Sequence, residues 1–174
     1  MVYLFLAFSL LMFTGCEQKP QVRHYTQVTV EAPDASVPSK NNLTWKAPQG
    51  WVEEPGKGLR LVTFHDAANP KDIDVSIVPL GGSMAGGLEA NLKRWLGQIN
   101  VQVSDAQLQD LIRSSKDNVF DLSQLQKGLD PSSKSMMAAM ISLPDTTVFV
   151  KMAGSIDAVT RHREKFKELV RSLR

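Results

Sequence analysis

The chain has 174 residues, of which 43% are hydrophobic and 22% charged, a globular composition that excludes a generally disordered protein. Twenty Lys and Arg against eighteen Asp and Glu leave a formal charge of +2, too balanced for a dedicated nucleic-acid binder. A single cysteine excludes both a disulfide framework and a Cys-rich zinc site.

The first element is an apolar run, Met1 to Phe13, broken only by Ser9. As a helix it would extend about 20 Å at roughly 1.5 Å per residue, short of the ~30 Å of a bilayer core, so it reads as the apolar core of a signal peptide. The only cysteine follows directly, in Phe13-Thr14-Gly15-Cys16. This tetrad resembles the lipobox of bacterial lipoproteins: a large apolar residue, a small one, Gly or Ala, then Cys. The resemblance implies cleavage before Cys16, lipid on its thiol and new amino terminus, and a periplasm-facing anchor in the cell envelope. By the same resemblance, Glu17 rather than Asp after the cysteine leans toward the outer membrane. Residues 1–15 are thus expected to be a signal peptide. Residues 16–42, polar and carrying Pro20, Pro33 and Pro38, are expected to be a tether with one β-rich segment at 25–30.

Ordered structure is expected from residue 43 to 174. Leu43 to Ala47 alternates and stops at Pro48, predicting a strand; Leu59 to His65 predicts a second, after the turn Pro55-Gly56-Lys57-Gly58. Ile73, Val75 and Ile77 alternate with Asp74, Ser76 and Val78, predicting a third that ends near Pro79. After the glycine-rich stretch Gly81 to Gly87, the spacing of Leu88, Leu92, Trp95, Leu96 and Ile99 predicts a helix with one apolar face. Ser104-Asp105-Ala106-Gln107 is a capping box opening a second helix with Leu108, Leu111 and Ile112 inward. Val119 to Leu122 predicts a short strand, and Ser135 to Leu143 with Thr146 to Gly154 a hairpin turned at Pro144-Asp145. Val159, His162, Phe166, Leu169, Val170 and Leu173 form the stripe of a closing helix, whose stretch from Ile156 carries six Lys and Arg against three acids. Strands joined by short turns, with helices between and after them, predict an α+β fold: a largely antiparallel sheet with helices packed on its faces.

The segment Leu43-Thr44-Trp45-Lys46-Ala47-Pro48-Gln49-Gly50-Trp51 resembles the opening of PsbP-like domains, an aromatic-bearing strand followed by Pro-x-Gly-Trp. The element order that follows is similar too, and DcrB-type bacterial lipoproteins place such a domain behind a lipobox and tether. The resemblance, over about residues 43–174, implies an α/β/α sandwich that binds protein partners or stabilises membrane complexes without catalysis. Pro48, Gly50 and Trp51 read as structural.

Four constellations invite a chemical reading. The stretch Gly81, Gly82, Ser83, Gly86, Gly87 lies between a strand and a helix, where backbone N–H groups attract anions, though it matches no complete phosphate-loop pattern. It is also one residue short of a nucleophile elbow, for which a triad in chain order would need Ser83, Asp145 and His162. Met136, Met137 and Met140 suggest a thioether site for copper(I), but on a strand Met136 and Met140 lie about 13 Å apart, so core packing is the better reading. The three histidines, His24, His65 and His162, form no ligand pair by spacing. The expectation is therefore a lipid-anchored, non-catalytic envelope module, bound to a membrane through Cys16 and to an envelope protein partner, with no nucleic acid, metal or cofactor. The alternative is a small-molecule or anion-binding protein, or weak hydrolase, centred on Gly81–Gly87.

Overall fold

The structure is a computed structural model, described here for residues 43–174. The signal peptide, Cys16, the tether and the segment 25–30 lie outside the described residues. Six strands form one antiparallel sheet: β1 (Trp51–Pro55), β2 (Val62–Asp66), β3 (Ile73–Gly81), β4 (Val119–Asp121), β5 (Lys134–Ser142) and β6 (Thr146–Ser155), in the spatial order β1-β2-β3-β6-β5-β4. Between β3 and β4 the chain passes through a 3₁₀ turn (Gly82–Ala85), α1 (Leu88–Gln98) and α2 (Asp105–Ser114), and it ends in α3 (Ile156–Ser172).

The α+β sandwich expected from the sequence is what the chain forms, because the central strands are apolar on both faces. Along β5 and β6, Met137, Ala139, Val148, Val150 and Met152 join Trp51, Phe64, Val75 and Ile77 under α3, against Val159, Phe166 and Leu169. The alternate residues Met136, Ala138 and Phe149 face the other way, against Leu92, Trp95, Leu96 and Ile99 of α1 and Leu108 of α2. The methionines thus act as core filler on both faces: Met136 and Met137 are buried in opposite cores.

Local chemistry sets the element ends. Ser104 accepts from Gln107 N–H while the Gln107 side chain accepts from Ser104 N–H, completing the expected capping box of α2. Ser155 Oγ accepts from Ala158 N–H and starts α3. Gly154 sits where a Cβ would lie 2.5 Å from Asp72 O, so the chain passes too closely there for any other residue.

Two expectations are corrected. Leu43 to Ala47 is not a strand of the sheet. Leu43, Trp45 and Ala47 do point inward, but the backbone pairs with the end of α3: Thr44 N–H donates to Arg174 O (2.8 Å) and Arg174 N–H to Thr44 O (3.1 Å). The first strand is instead Trp51–Pro55, an edge strand of which only Trp51 is buried. The second strand begins at Val62, since Leu59 lies in the preceding turn and is 68% exposed.

Candidate functional site

The Pro48-Gln49-Gly50-Trp51 segment forms a turn. Trp51 N–H donates to Pro48 O (3.1 Å), and Gly50 takes φ +80°, the left-handed value that the third position of a type II turn requires. The turn delivers Trp51 under α3, where its Nε1–H donates to His162 Nδ1 at 3.1 Å. Burial lowers the His162 pKa, assisted by the positive charges of Lys165 and Arg161 and opposed by Asp66 and Asp72. A neutral imidazole that accepts from Trp51 is the state the site holds.

The triad residues are not brought together as a catalytic set. His162 is committed to Trp51 on the α3 side, whereas Ser83 is exposed on the 3₁₀ turn of the α1 side. Around that turn, Gly82 and Gly86 take φ +56° and +66°, and Gly86 N–H is used internally on Ser83 O. Two loop carbonyls point at a residue that sequence reasoning missed. Asn91, 2% exposed, donates from Nδ2 to Ala85 O (2.8 Å) and Gly87 O (3.0 Å), and its Oδ1 accepts from Arg94 (2.9 Å). The signal was an amide on the apolar stripe, between Leu88 and Trp95.

A concavity lies elsewhere, where α3 overhangs the β4–β5 edge. This groove of about 630 Å³ is floored by Met137, Ile141 and Val170 and rimmed by Lys116, Lys167 and Arg171. It exists because β4 has three residues and β5 has nine. Their ladder runs only from Met137 to Ala139, with one further bond from Met140 N–H to Asn118 O, so among the described residues Ile141 and Ser142 have no strand beside them on that side. Asp117 and Asn118 both take left-handed backbone (φ +56° and +51°), turning the chain into β4 and away from this open edge.

Three basic residues, Lys116, Lys167 and Arg171, and two acids, Asp117 and Asp121, line the groove. Asp121 is neutralised by Arg163, whose Nε lies 2.6 Å from Oδ2 but off the axis of its N–H, an ion pair without an aligned hydrogen bond. Lys167 pairs with Glu164 (2.8 Å), while Lys116 and Arg171 have no carboxylate partner among the described residues. Also among the described residues, no group of three His, Cys, Asp or Glu is placed to hold a metal ion, and no helix is long and apolar enough to cross a membrane.

No family model matches the sequence, and no curated protein does. Among solved structures, the chain is similar to the solution structure of cyanobacterial PsbP (CyanoP) from Synechocystis sp. PCC 6803, at 13% identity and a TM-score of 0.44. The likeness covers 78% of this chain and 88% of that one.

Proposed function

We propose that the protein is a non-catalytic envelope module, anchored by lipid on Cys16, that docks an extended segment of a protein partner in the groove between α3 and the β4–β5 edge. The observation that carries the docking reading is the open end of β5. Ile141 and Ser142 present strand backbone beside an apolar floor, the combination that lets a peptide add as a further strand while its side chains fill alternate pockets. Lys116, Lys167 and Arg171 outnumber Asp117 and Asp121 around the groove, which favours a segment with flanking acidic residues. The anchor rests on the lipobox resemblance, and the PsbP-like reading on the Pro48-Gln49-Gly50-Trp51 turn and the sandwich architecture.

Two measurements test the two parts separately. Intact mass of the membrane-purified protein should begin at Cys16 with acyl additions that Cys16→Ala removes; an unmodified mass retaining Met1 would overturn the anchor. A photo-crosslinking amino acid at Ser142 should capture one defined protein band in cells, abolished by Ile141→Glu, whereas the same probe at Leu59 should not. Equal capture at both positions, or persistence in Ile141→Glu, would overturn the docking site.

A second reading keeps the glycine stretch Gly81–Gly87 as an anion site, supported by the first turn of α1, which starts at Gly87 with no side-chain cap. Phosphate should then shift the amide resonances of Leu88 to Glu89 selectively; an unchanged spectrum there would remove it.

A further inference from the structure

On the face of the sheet opposite the groove, α1 and α2 cover β4, β5 and β6 but stop short of β1 and β2. At the boundary lies a cleft of about 210 Å³ between α1 and the β3–β6 ladder. Its helix wall is set by spacing: Asn91, Arg94, Trp95 and Gln98 fall at i, i+3, i+4 and i+7 and share one face of α1. Its sheet wall is set by register: Ser76 pairs with Lys151 and Val78 with Phe149, so one polar and one apolar rung lie side by side. Trp95 meets Phe149 edge-on at 6.1 Å between ring centroids, closing the apolar end.

The charge in this cleft does not balance. Three cations line or border it: Arg60, Arg94 and Lys151. Asp74 is taken bidentately by Arg60, at 2.7 and 2.8 Å. Arg94 reaches only the neutral amide oxygen of Asn91, and Lys151 only that of Gln98 at a long 3.4 Å. Among the described residues neither has a carboxylate partner. Burial lowers the Lys151 pKa and the neighbouring Arg60 lowers it further, with Asp74 offsetting in part. A half-buried ammonium and a guanidinium that line one cleft beside an apolar end, neither of them paired with a carboxylate, form a receptor for one.

We propose that this cleft binds a small organic carboxylate, its charge held by Lys151 and Arg94 and its apolar body against Trp95, Phe149 and Val78. The site is independent of the groove on the α3 side, and either can fail without the other. Calorimetric titration of the full chain in detergent with benzoate should show saturable binding. Losing one charge-assisted contact should weaken it about 10-fold or more in Lys151→Met and in Arg94→Gln. Lys71→Gln, outside the cleft, should leave it unchanged. Neutral benzamide should not bind, because the cations would stay uncompensated, and inorganic phosphate should bind more weakly than benzoate, lacking an apolar body. Arg94 is exposed on its helix, so Arg94→Gln keeps the test valid should Lys151→Met fold poorly. No heat of binding up to on the order of 20 mM benzoate, equal binding of benzamide, phosphate binding as tightly as benzoate, or full affinity in both variants would overturn the proposal.

Discussion

Two side chains decide more than their size suggests: His162 and Asn91. His162 must stay neutral to accept from Trp51, and burial holds its pKa below the ordinary histidine value. The unfolded chain therefore takes up a proton that the folded chain resists. Stability is fully present above the unfolded histidine pKa of about 6.5 and is lost as pH falls below it toward the depressed folded value. Urea titrations from pH 7.5 to 5 should show this loss in the wild type. His162→Gln, which keeps an acceptor and cannot titrate, should show a flatter profile; an identical profile would mean other groups carry it. Asn91 fastens the glycine turn through two carbonyls. In Asn91→Ala the Ala85 carbonyl loses its side-chain donor while Gly87 O keeps the backbone N–H of residue 91, which should cost about 1–3 kcal/mol and speed amide exchange across the 3₁₀ turn without altering α3. Leu92, on the same helix, would by contrast fail through packing alone.

Elements differ in how visibly the sequence declares them, and burial explains the difference. The β5–β6 hairpin was legible because its strands lie at or beside the centre, with apolar residues facing two cores and a Pro-Asp turn between them. The α2 capping box and the α3 stripe were legible because both are local patterns. Trp51–Pro55 was not, since an edge strand with four exposed residues shows no alternation and forms only because β2 lies beside it. Leu43–Ala47 shows the alternation of a strand because one side packs on the core, but its backbone partner is the end of a helix. The groove and the carboxylate cleft were invisible for another reason: each draws on segments far apart in sequence, joined only by sheet order. At this scale Gly154→Ala is a sharp test. Its Cβ would press on the Asp72 carbonyl in a central strand, an overpacking that should cost about 1–3 kcal/mol in chemical denaturation. Ser104→Ala, removing a cap on an exposed helix start, should cost about 1 kcal/mol.

Residues 43–174 form a sheet with two unequal faces. One is roofed by the single long helix α3, leaving a groove along the short β4. The other is roofed by α1 and α2 only in part, leaving the cationic cleft. The two concavities thus open on opposite sides, so a protein docked at one leaves the other free. The paired backbone bonds of Thr44 and Arg174 add a mechanical property. They bring the start of the described chain to the C-terminal end of α3, away from the sheet's own hydrogen bonds. A load applied at residue 43 meets this clasp first, together with the Lys46 N–H bond to Ser172 Oγ (2.9 Å) and the packing of Leu43, Trp45 and Ala47, before it reaches the strand ladder. In an optical trap, pulling at residue 43 should release residues 43–47 in an early low-force step of about 17 Å, with the sheet still folded. Unfolding in one event from the native length would refute this. A domain so fastened yields a few residues of slack to a pull at residue 43 before its sheet is put at risk, as a shock absorber would.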